Sequence, residues 1–453
     1  MNRFKLIGKY DSIDLTSFFD EDLEIVNVPL ITEKGMLCYG IGKVIKKMLD
    51  NKICPTEDGI DIMVLATLVY LADTRISRSI HSQDSWTREI EIQLPVINLE
   101  RWNASSEDLA RMLDFLTGDK WSIVFEQRER YFDDLLTCNE EQEEFEVVSL
   151  FSGGMDSLIS TINYLEDRKK VVLISHAGDG FTKNAQTNII KEFKEVYHDI
   201  MPLYLDLWMN FKKEFIPQGG VENTTRSRSF LFISFGVFAV SGVKGVNELK
   251  IPENGLIALN VPLDNLRVGS HSTRTTHPFY LEMWNKVLYN LGFNITVENP
   301  YWDKTKGEMA NECRNKEFLF SVISKSVSCS SPIKATWQKL SPQHCGFCVP
   351  CLIRRAAMKK AFGLGNDCTE YTEESINTIV HSHSNATGIQ LRSFQLAINR
   401  IKRQPNLAKI LIHKPGPLSN DARYLEKLAE VYTRGLLEVD EFINSSLESE
   451  RQV

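Results

Sequence analysis

The sequence has no long apolar run. Its most suspicious stretch, Ile62 to Ala72, is flanked by Asp61 and Asp73, is too short to cross a bilayer and reads as a buried helix. No apolar core of signal-peptide length follows Met1-Asn2-Arg3-Phe4-Lys5, so a cytoplasmic protein is expected. Positive charge is not in surplus: 52 Lys and Arg face 60 Asp and Glu, for a formal net charge of −8. That argues against a dominant non-specific nucleic-acid binder and leaves room for a local basic patch. A secreted disulfide framework is not expected either. The 9 cysteines are odd in number and unevenly spread, and a tight cluster without an export signal favours metal. Finally, no Gly-Lys-Ser/Thr follows the most conspicuous glycine pair, which excludes a Walker A loop there. What remains is a soluble globular composition and 453 residues, enough for two or three domains.

The stretch that organises the chain is Phe151-Ser152-Gly153-Gly154-Met155-Asp156-Ser157. An apolar, β-branched run, Val147-Val148-Ser149-Leu150, precedes it, and Leu158 to Leu165 reads as a helix. Two glycines let the backbone turn tightly and approach an anion. The helix start supplies free N–H groups, and the serines Ser152 and Ser157 add donors. Asp156 would repel a phosphate, so it is placed to hold Mg²⁺ or to cap the helix. The sum is a cradle for the pyrophosphate end of a nucleotide.

Residues 1–145 look like a separate α+β domain. Strands are expected at 22–28, 89–94 and 121–125, and helices at 41–49, 60–72 and 107–116. No catalytic motif is visible there. The acidic run Glu140-Glu141-Gln142-Glu143-Glu144 marks the boundary. From Glu146 the pattern alternates β-α-β-α, with strands at 170–175, up to 205 and at 256–260, and helices at 185–197 and 230–240. Such alternation means a doubly wound parallel sheet, with ligand at the carboxyl ends of its strands. The loop His176-Ala177-Gly178-Asp179-Gly180 falls on the same edge as the cradle and is placed to frame adenine or ribose.

Arg226 and Arg228 open the helix at 230–240, where an arginine can grip a phosphate or carboxylate bidentately. The donor-rich stretch from Arg267 through His271 and Arg274 is a candidate substrate contact, and Lys306 a candidate for neutralising phosphate charge. Helices are expected at 391–402 and 422–437, with a frayed end from Ser445.

Cys345-Gly346-Phe347-Cys348-Val349-Pro350-Cys351 puts three thiols at Cys-x2-Cys-x2-Cys spacing, and Cys329 is the obvious fourth. Four sulfurs suit a closed structural zinc site. An iron–sulfur cluster is the competitor; zinc is favoured because the fourth thiol precedes the run and no Cys-Pro follows it.

Ser-Gly-Gly-x-Asp-Ser at 152–157 resembles the pyrophosphate loop of the N-type ATP pyrophosphatases. Followed by Ser328-Cys329 and by Cys-Gly-x-Cys-x-x-Cys-x-x-Arg-Arg-Ala from Cys345 to Ala356, it resembles the 7-cyano-7-deazaguanine synthase family over residues 146–365. The resemblance implies an adenine nucleotide alpha hydrolase-like sheet. It implies ATP on Ser152, Gly153, Gly154, Met155, Asp156 and Ser157 with Mg²⁺, and zinc on Cys329, Cys345, Cys348 and Cys351. Catalytic roles would fall to Asp156, Arg226, Arg228 and Lys306. The chain departs from the family in a longer gap between Cys329 and Cys345, in a loop after the second strand without a Tyr-Gly-Gln-Arg-His type sequence, and in the added residues 1–145 and 366–453. The enlarged layout is similar to synthase-like proteins of bacterial anti-phage operons of the Qat and CBASS kinds.

The expectation is therefore an ATP-dependent carbon–nitrogen ligase. It would adenylate a 7-deazaguanine carboxylate and pass it to an amine: in keeping with the layout, an amine of a partner protein recruited by residues 1–145. No membrane role is expected. Asn2 after Met1 leaves no N-terminal cysteine nucleophile for a glutaminase half. The alternatives are free 7-cyano-7-deazaguanine synthesis with ammonia, tRNA thiolation, and a non-catalytic ATP-binding assembly module.

Overall fold

The computed structural model describes residues 3–82, 84, 86–130, 132, 136, 143–263, 274–382 and 386–452. Among them no helix is long and apolar enough to cross a membrane.

The chain opens with β1 (Arg3–Lys9), β2 (Thr16–Asp20) and β3 (Leu23–Pro29), then α1 (Ile41–Asp50), α2 (Glu57–Arg75) and α3 (Arg78–His81). β4 (Glu89–Val96), α4 (Leu99–Thr117) and β5 (Lys120–Gln127) complete a five-stranded sheet of order β2-β3-β1-β4-β5. Only β2 is antiparallel. The expected strands and helices form, but the architecture is α/β rather than the expected α+β. The reason lies in β1. Its Phe4 and Leu6 are buried, yet Arg3, Lys5 and Lys9 dilute its apolar signal. Period-2 alternation also says nothing about strand direction, which the helical crossovers set.

The second sheet begins at β6 (Val147–Leu150) and continues through α5 (Met155–Glu166), β7 (Val171–Ala177), α6 (Gly180–Val196) and β8 (Leu203–Trp208). After α7 (Arg228–Val240) come β9 (Glu248–Lys250), α8 (Gly255–Leu259), α9 (Pro278–Leu291) and β10 (Thr296–Glu298). The order β10-β9-β6-β7-β8 is parallel throughout. The chain winds outward from β6 to β8 and then returns to the other side, so strand order reverses between β6 and β9. Ligand crevices form at such a switch point. The strand expected at 256–260 is instead helix α8, capped by Asn254, whose side chain accepts from Ile257 N at 3.2 Å. The strand at that place in the sheet is β9, three residues with only Leu249 buried, too short to show a period.

α2 joins the two sheets. It is buried from Gly59 to Thr74, as a helix with no polar face must be. It touches β1 and β4 on one side and α7 on the other, and α7 in turn touches β6, β7 and β9. One hydrophobic core therefore runs through both sheets, and the boundary expected near residue 146 does not separate two cores.

The remainder is helical: α10 (Lys306–Asn311), α11 (Lys316–Val322), α12 (Val349–Phe362), α13 (Ile376–His381), α14 (Ala386–Arg403), α15 (Ala408–Leu411) and α16 (Ala422–Gln452). The end expected to fray from Ser445 is helical to Gln452. The Glu450 carboxylate there accepts from Ser375 Oγ at 2.8 Å, Ile376 N at 2.9 Å and Asn377 N at 3.0 Å, which satisfies the start of α13.

Candidate active site and metal centre

β6 ends in the loop Phe151–Gly154, and α5 starts at Met155. Gly153 has φ +79°, and a Cβ there would stand 3.0 Å from Gln186 Cγ, so the position takes only glycine without strain. Gln186 Nε2 donates to Ser152 O at 3.3 Å and to His176 O at 3.2 Å, holding the loops after β6 and β7 together. Ser152 Oγ accepts from Gly154 N at 3.2 Å, and Ser157 Oγ donates to Gly154 O at 3.0 Å. The leading amides of α5 have no partner within the helix, and a helix start of this kind favours an anion.

These groups open into a cavity of about 780 Å³, walled also by Asp179, Thr182, Arg228, Glu253, Lys306 and the loop from Val327 to Lys334. Asp179 caps α6, accepting from Thr182 N at 2.8 Å, so the loop after β7 lies in the wall. Arg228, half-buried, reaches the same space and donates to His176 O at 3.4 Å. Burial and the Arg228 charge push His176 down to about 3, which keeps it neutral.

Arg226 is not in this wall. It lies over the Trp86 ring at 4.0 Å and donates to Thr117 O at 3.0 Å. Arg274 lies over the Phe115 ring at 4.5 Å and donates to Phe115 O at 2.9 Å. Both arginines join the two halves of the chain rather than converge on the cradle, because the first sheet's α4 and the loop beyond α3 come within their reach. Arg267 and His271 lie outside the described residues.

Lys306 and Asp156 form a buried ion pair, Nζ to Oδ1 at 2.8 Å. Lys306 is aimed by a capping box. Thr305 Oγ accepts from Glu308 N at 3.1 Å, and Glu308 accepts from Thr305 N at 2.8 Å. Glu438 of α16 braces the same turn through Gly307 N at 3.3 Å. The other oxygen of Asp156 accepts from Asn254 Nδ2 at 2.8 Å and from Asn254 N at 3.1 Å. The same Asn254 Nδ2 reaches Glu253 Oε1 at 3.1 Å. Burial raises both carboxyls, but the Lys306 charge, with hydrogen bonds from Glu253, Lys306 and Asn254, brings Asp156 below the usual carboxylate range. Glu253 is pushed well above it, by burial and then by the neighbouring Asp156 charge. Glu253 thus holds the proton that the pair shares. Sequence reading missed Glu253 and Asn254, because they follow a strand too short to read and belong to no motif.

Two expectations follow. Lys306→Met should cost about 3–5 kcal/mol in urea unfolding, because it leaves a buried carboxylate without its counter-charge. Adding Asp156→Asn should restore most of it, and a single-variant loss under about 1 kcal/mol would remove the pair from the account. Glu253, raised in the fold, costs stability as pH rises above its unfolded value of about 4.3, since the unfolded chain then releases a proton that the folded chain keeps. Glu253→Gln should therefore be more stable than the parent at neutral pH, with the gap closing toward about pH 4. A gap independent of pH would contradict this.

The four cysteines of the expected metal set do come together. Cys345, Cys348 and Cys351 are buried and Cys329 is half-buried, and their sulfurs all lie within 4.8 Å of one another. Cys329 and Cys348 are 3.9 Å apart, as are Cys345 and Cys351. Tetrahedral zinc with Zn–S of about 2.3 Å puts its sulfurs about 3.8 Å apart. Cys348 N donates to Cys345 Sγ at 3.3 Å, and the amides of Cys345 and Ser331 donate to Cys329 Sγ at 3.4 Å. Such amides stabilise thiolates, so the set is compatible with zinc. The site adjoins the cavity: Cys329 is in its wall, and Val327 N donates to Gly153 O at 2.9 Å. The fully buried Arg354 of α12 fixes this segment by donating to Ser326 Oγ at 2.8 Å and to Ile323 O at 2.6 Å.

Comparison with known protein families and with curated proteins finds no match to this chain.

Proposed function

We propose that the chain is an ATP-dependent, adenylate-forming ligase that acts on the carboxylate of a 7-deazaguanine-type compound. The observation that carries this reading is the cradle itself: Ser152–Ser157 lies at the switch point of a parallel sheet and opens into a cavity that also holds Arg228 and Lys306. A pyrophosphate end on the α5 amides leaves the α-phosphorus out in the cavity. The substrate carboxylate oxygen attacks that phosphorus, the bond to the bridging oxygen breaks, and pyrophosphate leaves. An amine nitrogen then attacks the acyl carbon, AMP departs with the carboxylate oxygen, and the amine gives up a proton. Arg228 is placed to offset charge on the phosphates or to orient the carboxylate.

Mg²⁺ is the usual companion of ATP and would spread charge over the phosphates. Both oxygens of Asp156 are already engaged by Lys306 and Asn254, so Asp156 does not present an open metal ligand, and no step is routed through the ion. The zinc set is closed and has no reacting role. The close sulfur spacing also speaks against a cluster, whose ligand sulfurs stand farther apart, and so against thiolation chemistry. An acceptor amine on a partner protein, in the setting of anti-phage defence, remains part of the proposal through the resemblance alone.

The test is pyrophosphate release with 7-carboxy-7-deazaguanine, ATP and ammonia, in the parent and in Ser152→Ala. Substrate-dependent release that falls at least about a hundredfold in the variant supports the reading. No release with any 7-deazaguanine carboxylate, or equal release in both proteins, would overturn it.

A further inference from the structure

β2 is the outer strand of the first sheet; among the described residues it is hydrogen-bonded on one side to β3 and pairs with no strand on the other. Every residue from Thr16 to Asp20 is exposed, including Phe18 and Phe19, each 51% accessible. Neighbours along the strand point to opposite faces, so an aromatic ring stands on each side of the same free edge, with Ile13 exposed nearby. Proteins usually blunt such an edge with lysine, proline or a covering loop. Thr16-Ser17-Phe18-Phe19-Asp20 has neither lysine nor proline.

The flanks carry charge of one sign. Asp11, Asp14, Asp20, Glu21 and Asp22 are all exposed, and residues 10–24 contain no Lys, Arg or His. Among the described residues none of these five carboxylates is in a salt bridge, although elsewhere on the surface exposed carboxylates commonly are, as at Asp199, Glu426 and Glu441.

We propose that the β2 edge is a docking site for an extended, basic segment of a partner protein, which adds as a sixth strand. Main-chain pairing with β2 supplies the hydrogen bonds, apolar side chains of the segment cover Phe18 and Phe19, and its cations meet the acidic flanks. A second copy of this chain does not fit, because its own β2 would bring carboxylates against carboxylates. The inference goes beyond the ligase reading and stands without it.

The probe is a synthetic peptide of about ten residues with a central run of valines flanked on both sides by lysines, with the same valine run flanked by glutamates as control. Fluorescence anisotropy follows binding to the full chain, and hydrogen exchange reports on the amides of residues 16–20. The lysine-flanked peptide should bind and slow exchange at those amides. Phe18→Lys/Phe19→Lys should weaken it at least about tenfold, and about 0.5 M salt should weaken it several-fold. Both phenylalanines are exposed, so the variant should keep the parent's melting temperature, which is checked first. The proposal is overturned by absence of binding, by equal binding of the acidic peptide, by binding without protection at β2, or by self-association of the chain through β2.

Discussion

A chain that begins at Glu146 should not fold. Residues 1–145 carry no catalytic motif and a recruiting role is expected of them, which by itself would leave them dispensable for adenylation. The shared core argues otherwise. α7 is apolar on all sides, and its residues Phe230 to Val240 are all buried, partly against α2. Removing α2 would bare that face. Each fully buried Phe or Leu so exposed forfeits about 1.5–3 kcal/mol, and a few of them match a whole domain's stability of about 5–15 kcal/mol. The cut would also break a buried charge network. Asp73 accepts from Arg78 at 2.9 Å and Arg88 at 2.8 Å, and its other oxygen accepts from Ser227 N at 2.7 Å, at the start of α7. Asp119 closes the network with both arginines. The check is circular dichroism and thermal melting of the truncated chain, which should be insoluble or melt without cooperativity. A soluble, cooperatively melting truncation would show that the two sheets are independent.

Cys351→Ser should have a comparable effect from the other side of the molecule. Cys351 has no exposure, and it sits in the first turn of α12, which packs on α10, α14 and α16. Structural zinc contributes about 10–16 kcal/mol of apparent binding energy in small zinc domains, and that energy is folding energy. The variant should lose bound metal, melt far below the parent and release the wall segment from Val327 to Ser331. Elemental analysis should find about one zinc per parent chain and almost none in the variant. Iron in the parent, or a variant that keeps its zinc and its melting temperature, would contradict the assignment.

The sequence made some features readable and hid others for definite reasons. The cradle was readable because six adjacent residues carry it. The thiol set was readable because Cys345, Cys348 and Cys351 follow a spacing that metal geometry imposes. β9 was hidden because three residues show no period, and Glu253 and Asn254, which follow it, were hidden with it. Arg226 was misplaced because a position at a helix start does not fix where a long side chain points; Trp86 and Thr117, more than a hundred residues earlier, decide that. The unity of the two sheets was hidden because α2 reads as a buried helix in either case, and only the fold shows that its second face covers α7.

The central claim is that Ser152–Ser157 binds the phosphates of ATP. A calorimetric titration of a non-hydrolysable ATP analogue into the parent and into Gly153→Val tests it most directly. Gly153 has φ +79°, and a side chain there meets Gln186, so valine distorts the cradle while the sheet beneath it stays packed. The account predicts one site per parent chain and affinity at least about a hundredfold weaker in the variant, with the variant's melting shown to remain cooperative. A parent chain that does not bind the analogue, or a folded variant that binds it equally well, would contradict it.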